Sequence, residues 1–276
     1  MSGEENSKGS VYSTAEWLNN HFSIKSRGRY NFVAALPFRP GSTVLDLGCA
    51  NGAWSRLIAE RIGPMGHVLA IDHDADLIER ARSAVRGTHL EPRISFKAID
   101  ISEGLETLDQ RVDAVTMFNV GSLLTDAPST LRQIFDALKQ RNGRLLLKDS
   151  AISTDFYWPL EATVACAIRK KLSRGGKIKG YDPDFALHCR ELLVTIGFSI
   201  VEVILSSYAF IFPFSNPERL YISHNARMIS EINPPVDSED ELNRWLSEVM
   251  PERGSFFEQP DAIYTTTEFT YVCEAI

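Results

Sequence analysis

The residues with chemical reach begin at Asp46 and continue through Gly48-Cys49-Ala50-Asn51-Gly52, a turn that follows the apolar stretch TVLDL at 43–47. An apolar run, a glycine turn and then an amphipathic segment read as strand, loop and helix. The N–H groups of such a loop and helix start suit a nucleotide-like ligand. Twenty residues beyond Gly52 stands Asp72, at the end of a second apolar run, HVLAID. A carboxylate there can accept hydrogen bonds from both hydroxyls of a ribose. A third acid, Asp100, follows the run RISFKAI at 93–99. A pyrophosphate needs the second glycine of G-x-G-x-x-G so that the backbone can approach closely. Here that position is Ala50, and the last glycine comes one residue early. The spacing therefore favours an adenosine without a pyrophosphate over a dinucleotide.

Such residues need a scaffold, and the chain alternates accordingly. Strands are expected at 43–47, 67–72, 93–99, 113–118 and 144–149, with helices near 53–62, 75–86 and 128–140. The last of these repeats its apolar residues at three and four (Leu131, Ile134, Phe135, Leu138). Asp74 is placed to cap the second helix, and the glycine of QRNGR at 140–144 to stop the third. Apolar strands between amphipathic helices imply a parallel sheet covered on both faces, with ligands at the C-terminal strand ends. After residue 150 the rhythm changes. An insertion at 151–180 carries a helix over 160–172 and the glycine-rich SRGGKIKG. Asp182-Pro183 reads as an N-cap and first helical position, for a helix that runs to Ile196 and is ended by Gly197. A sixth strand at 198–207 and a seventh, antiparallel, near 265–275 bracket a second insertion at 208–260, with a helix around 238–250. The expected fold is α/β: a doubly wound, seven-stranded, mostly parallel sheet with helices on both faces. The insertions would form a substrate cap. Residues 1–14 are expected to be a flexible tail and 15–276 a single domain.

Five segments in this order resemble the motifs of the class I, Rossmann-like S-adenosylmethionine-dependent methyltransferases, of the small-molecule type. VLDLGCANG at 44–52 resembles the first motif, with Ala50 in the middle glycine position; VLAIDHD at 68–74 resembles the second. FKAIDIS at 96–102 resembles the third and DAVTMFNVGSLL at 113–124 the fourth; NGRLLLKDS and GFSIVEVILSS resemble the late strands. The resemblance covers 40–150 and 184–207, then more weakly 262–275. It implies S-adenosylmethionine as cofactor and S-adenosylhomocysteine as product. It also implies a cofactor set of Asp46, Gly48, Cys49, Ala50, Gly52, Asp72, His73, Asp100, Ile101 and Asn119. In that set Asp72 would hold the ribose, Asp100 the adenine amine, and Ile101 would lie beside the ring. Asp46 would either meet the methionine ammonium or bond the turn's own backbone. Trp54 reads as helix packing or as a cofactor contact.

Methyl transfer is an in-line displacement, and a base is needed only where the attacking atom must lose a proton. Two residues stand where such a base belongs. Asp149 ends the fifth strand, as base, substrate anchor or cap; His188 lies early in the helix after Asp182. His188 also shares a spacing with Phe185, Leu192 and Ile196, which makes a buried core histidine its other reading. NVGS at 119–122 is unlike the NPPY turn of enzymes that methylate nucleobase amines, and LKDS supplies too few acids for a metal-dependent catechol site. No metal is expected.

Composition narrows the partners. A net charge of -7 over 276 residues, with 44% hydrophobic and 24% charged residues, describes a globular chain without the basic balance of a broad nucleic-acid face. The insertion aromatics Phe156, Tyr157, Trp158, Tyr208, Phe210, Phe212, Phe214, Phe256 and Phe257 read as an apolar lining for a small organic acceptor, or as a satellite core. Six basic residues between Arg169 and Lys179 form either a solvated lid or a dock for a substrate carboxylate or phosphate. Cys49, Cys166, Cys189 and Cys273 show neither metal spacing nor C-x-x-C, which fits a reducing cytoplasm. The start lacks a signal peptide's apolar core, and no apolar run approaches the roughly 20 residues of a membrane span. The reading is a small-molecule methyltransferase, with a homodimer left open. Its alternatives are an RNA or protein methyltransferase, and an S-adenosylmethionine-binding protein without methyl transfer.

Overall fold

The computed structural model describes residues 14–101, 112–173, 181–232, 239–251 and 254–276. The expected tail at 1–14 therefore lies outside the described residues, except for Thr14. That residue caps helix α1 (Ala15–Ser23) by accepting the Trp17 N–H at 3.2 Å.

The chain forms two compact units. The first comprises Met1–Lys148, Cys189–Ile204 and Thr270–Ile276; the second comprises Asp149–His188 and Leu205–Phe269. In the first, β1 (Thr43–Leu47), β2 (His67–Asp72), β3 (Ile94–Ala98), β4 (Ala114–Phe118) and β5 (Arg144–Ser150, up to Lys148 within this unit) lie in the order β3-β2-β1-β4-β5, all parallel. The order reverses direction between β1 and β4, the topological switch at which sheets of this kind bind ligands. Val44, Leu45, Leu47, Val68, Leu69 and Ile71 are all at most 3% exposed, because both faces of the sheet are covered and apolar side chains on either side of a strand are buried. Helices α3 (Ala53–Ile62) and α4 (Ala75–Val85) pack on β2 and β3, and α5 (Ala127–Lys139) on β4. Asp74 caps α4 as expected, accepting from the Asp76 and Leu77 N–H groups. At the end of α5 the left-handed position is taken by Asn142 (φ 46°), not by the neighbouring glycine. Asparagine tolerates that conformation because its short amide can bond locally.

Helices α1 and α2 (Ser26–Ala35) were not anticipated. α2 packs on α3 with Arg29, Phe32 and Val33 buried. A buried arginine on the inner face breaks the apolar period that would have announced the helix.

The late strands are β6 (Phe156–Trp158), β7 (Phe198–Ile211) and β8 (Ile263–Ala275), which complete an eight-stranded sheet, β3-β2-β1-β4-β5-β8-β6, with β7 paired to β8. The expected count of seven misses β6, whose three residues are too short for a period to register. β8 runs antiparallel to β5, since Ala275 bonds Gly143 while Glu274 pairs with Arg144 at 2.7 Å. Its first residues pair antiparallel with β6, from Phe156↔Thr265 to Trp158↔Ile263.

In the second unit, α6 (Ala162–Ser173) and α8 (Asn216–Glu231) pack on α9 (Glu239–Val249). α8 was missed, although SNPE at 215–218 writes its capping box: Ser215 and Glu218 bond each other's N–H groups. Helix α7 (Phe185–Ile196) begins two residues after Pro183, because Asp182 closes a turn instead of capping: its carbonyl accepts the Phe185 N–H and its carboxylate the Asp184 N–H. Among the described residues no helix is long and apolar enough to cross a membrane.

Candidate cofactor site

The turn between β1 and α3 is built from left-handed residues. Gly48, Ala50 and Gly52 have φ of 67°, 49° and 71°, and Gly52 is the N-cap of α3. The two glycines are required twice over. A Cβ on Gly48 would stand 2.4 Å from Val120 Cγ2, and one on Gly52 2.8 Å from the Phe96 ring. Ala50 keeps the same backbone hand without a glycine's freedom, and Asp72 holds it there: the Ala50 N–H donates to Asp72 Oδ2 at 2.9 Å. The other oxygen, Oδ1, accepts the Asp74 N–H at 3.0 Å and lies 3.3 Å from His73 Nδ1. Asp72 is 6% exposed, so the acid at the end of β2 clamps the loop. A carboxylate offers about four lone-pair directions, which leaves acceptor capacity for further donors. The buried Nε2 of His73 has no hydrogen-bond partner.

Asp46, 2% exposed, accepts from Ser55 Oγ at 2.6 Å and Thr116 Oγ1 at 2.8 Å. These are side-chain hydroxyls from α3 and β4, not the turn's own backbone. Burial pushes its carboxyl up to about 6 against the lowering effect of both hydroxyls, and Asp72 adds to the rise. Cys49 gives its N–H to Ile71 O at 3.0 Å; its buried thiol is pushed up by burial and by Asp46 and Asp72, which makes it an inert small residue. Asp100 and Ile101 are half-buried after β3, where the Ile99 N–H reaches Asp72 O at 2.8 Å. Asn119, left-handed at φ 60°, follows β4. Trp54 is half-buried and packs edge-on against Phe118, Phe22 and Phe32 at 5.0, 5.5 and 5.9 Å between ring centroids.

The residues of the expected cofactor set, from Asp46 to Asn119, thus belong to the first unit, around the C-terminal ends of β1 to β4. A methyltransferase-domain family model matches residues 38–177, about half of the chain. The chain belongs to this family. Among its relatives, the 2-phytyl-1,4-naphtoquinone methyltransferase of Nostoc sp. is 33% identical over 101 residues, 37% of this chain and 44% of that enzyme. A ribosomal RNA large subunit methyltransferase E of Nitratidesulfovibrio vulgaris is 27% identical over 185 residues, 63% of this chain and 77% of that one. The chain spans about half the length of several curated relatives that it matches. Among solved structures, a putative methyltransferase from Bacillus halodurans shares the fold, with TM-score 0.55 and 17% identity over 90% of this chain and 97% of that one.

The two expected base candidates belong to the second unit. Asp149 is 1% exposed and accepts the Ser150 N–H at 2.9 Å. His188 is not a core histidine. The buried stripe of α7 runs through Phe185, Ala186, Cys189, Leu193 and Ile196, and His188, one residue off it, is exposed with Nδ1 3.0 Å from Asp182 Oδ2. The insertion aromatics mostly pack on one another. Tyr157, Phe210, Phe214, Phe256 and Phe257 are buried with Tyr264 and Trp245 as the core of the second unit. Phe156 and Trp158 remain about half exposed and stacked on each other. Of the basic stretch 169–179, residues 174–179 lie outside the described set, and Lys171 is no dock: it is 2% exposed, bonded to Ile232 O at 2.8 Å and Glu239 at 3.0 Å. Among the described residues no cluster of three or more His, Cys, Asp or Glu could hold a metal.

One feature escaped the sequence reading. Lys148, in β5, is fully buried, donates to Asn119 Oδ1 at 2.7 Å and lies 5.3 Å from the Trp54 ring centroid. Its signal was present, since a lysine inside the continuous apolar run RLLLKD is out of place in a two-sided strand.

Proposed function

We propose that the chain transfers a methyl group from S-adenosylmethionine to a small aromatic acceptor. The observation that carries this is the clamped loop, Gly48 to Gly52 held by Asp72 through the Ala50 N–H, at the strand-order switch. The donor set suits the adenosyl amino acid. Asp72 keeps acceptor capacity for ribose hydroxyls, His73 Nε2 is an orphaned buried polar atom beside it, and Asp46 offers a carboxylate for an ammonium. Bound there, the cofactor would supply an electrophilic sulfonium methyl. Asp100 and Ile101 would contact the adenine, while Gly48, Cys49 and Asn119 would shape the edge toward the acceptor. The loop and α3 would hold the cofactor in one direction, and alignment is most of what an in-line displacement asks of a protein. For a hydroxyl or carbon acceptor, Asp149 or His188 would take the proton. Asp182 orients the His188 ring as a second group orients a general base. Neither a metal nor a second cofactor enters this reading. A reducing cytoplasm is part of the same reading, and the free cysteines support it.

The aromatic acceptor is supported by the quinone-methylating relative. A second reading, RNA methylation, draws on the ribosomal RNA methyltransferase relative, and the net charge of -7 weighs against it. The test is S-adenosylhomocysteine formation by the full chain with reduced naphthoquinones, hydroxynaphthoates and ribosomal RNA as acceptors. Turnover with the aromatic set is expected. Turnover with RNA alone would replace the first reading by the second, and none with any acceptor would favour a cofactor-binding protein without transfer.

A further inference from the structure

The second unit holds a cavity of its own, of about 370 Å³, a size that suits a small molecule. Helix α9 contributes Glu241, Arg244, Trp245 and Glu248, which recur at three and four and so share one stripe of the helix. Trp158, Leu160, Glu161 and Val164 line it from the end of β6 and the start of α6. The two indoles play different parts. Trp245 is 7% exposed and fixed edge-on against Tyr157, 4.8 Å between ring centroids; Trp158 is 47% exposed and stacked on Phe156. The Trp245 N–H has no hydrogen-bond partner in the protein, and an unmade buried donor on a residue of a cavity wall points to an acceptor from elsewhere. The charges are unbalanced. Three carboxylates, Glu161, Glu241 and Glu248, stand against the single guanidinium of Arg244, and none of the four makes an ion pair among the described residues. A wall that is both aromatic and net negative draws a positive charge through the ring quadrupoles and through the carboxylates. A metal ion would need its ligands gathered at one point, and no such group exists among the described residues. A larger cation, its charge carried on an apolar body, meets the whole lining.

We propose that this cavity binds an organic ammonium ion with an apolar body, Trp158 and Trp245 supplying the aromatic faces and Glu161, Glu241 and Glu248 the counter-charge. The site goes beyond the methyl-transfer reading and stands apart from it. Every residue in it belongs to the second unit, and none of the probes below is an S-adenosyl compound.

The full chain is titrated calorimetrically with 2-naphthylmethylammonium, with its neutral counterpart 2-naphthylmethanol and with the anion 2-naphthoate. The ammonium binds at least about tenfold tighter than the alcohol, and added sodium chloride erodes the difference. Glu161→Gln and Glu248→Gln together weaken the ammonium by about tenfold or more and leave the alcohol unchanged. Arg244→Gln acts in the opposite direction, tightening the ammonium by about two- to fivefold, because it removes the like charge. Trp158→Leu weakens the ammonium by about fivefold or more, while Trp158→Phe keeps part of the binding. Glu161, Arg244 and Trp158 are exposed, so their variants leave the core alone, and the wild-type comparison decides even if one of them fails to fold. No binding of the ammonium at millimolar concentration, or equal binding of ammonium and alcohol, overturns the site. So does an ammonium preference that survives both the double glutamate variant and Trp158→Leu, which would come from the chain's overall charge. Tighter binding of naphthoate, lost in Arg244→Gln, would overturn it as well and make the cavity a dock for anions.

Discussion

Ala50 is a residue held in a conformation that its side chain disfavours. A left-handed alanine costs roughly 1–2 kcal/mol, and the Asp72 bond to its N–H is what keeps it at φ 49°. Ala50→Gly should therefore raise stability by about 0.5–1 kcal/mol in urea unfolding, because relief of strain outweighs the greater freedom of the unfolded chain. A loss of stability would mean that the alanine methyl packs usefully in the loop. Asp46 gives the second residue-scale prediction. Its folded pKa, about 6, lies above the ordinary aspartate value of 3.8, so between those limits the folded chain binds more protons than the unfolded one. Stability from this group is complete below about pH 4 and is lost as pH rises through 6, by at most about 3 kcal/mol. The difference between wild type and Asp46→Asn, followed by urea unfolding from pH 4 to 8, should show that slope. Parallel curves would place the carboxyl at its ordinary value. Both residues were legible as members of the strand–loop motif, but their partners were not, since Ser55, Thr116 and Asp72 meet them through the fold and not through spacing.

At the scale of elements, legibility followed periodicity. Strands β1 to β5 and helices α3 to α5 are long, regular and covered on both sides, and the sequence places them within a few residues. α2 escaped because Arg29 stands on its buried face, and β6 because three residues carry no period. His188 was drawn toward the core by a spacing that Cys189 satisfies instead. Within the basic stretch 169–179, Arg169 and Lys170 are exposed but Lys171 is buried, because exposure cannot be assigned to a lysine from its neighbours. That residue now supports a prediction of its own. Lys171 joins α6 to the carbonyl of Ile232, the residue that caps the end of α8, and to Glu239 in the first turn of α9. Removing one member of a buried pair strands the other, and Glu239 keeps some exposure, so Lys171→Ala should destabilise the second unit by about 2–4 kcal/mol. Tryptophan fluorescence during urea unfolding reads this unit through Trp158 and Trp245; a change below about 0.5 kcal/mol would make the pair ornamental.

For the whole molecule, the acidic chain combines a cofactor-type first unit with a second unit whose aromatics are largely spent on its own core. Of the insertion aromatics that composition put forward, Tyr157, Phe210, Phe214, Phe256 and Phe257 are taken up by that core, while Phe156 and Trp158 stay about half exposed. The central claim is narrower and comes first: the loop at 48–52 takes an adenosyl amino acid and not a dinucleotide. Calorimetric titration of the full chain with S-adenosylhomocysteine, and in parallel with NADH, tests it most directly. The account predicts one micromolar site per chain for S-adenosylhomocysteine, weakened at least about tenfold by Asp72→Asn, and no heat with NADH. Binding of NADH, or no binding of S-adenosylhomocysteine at millimolar concentration, would contradict it.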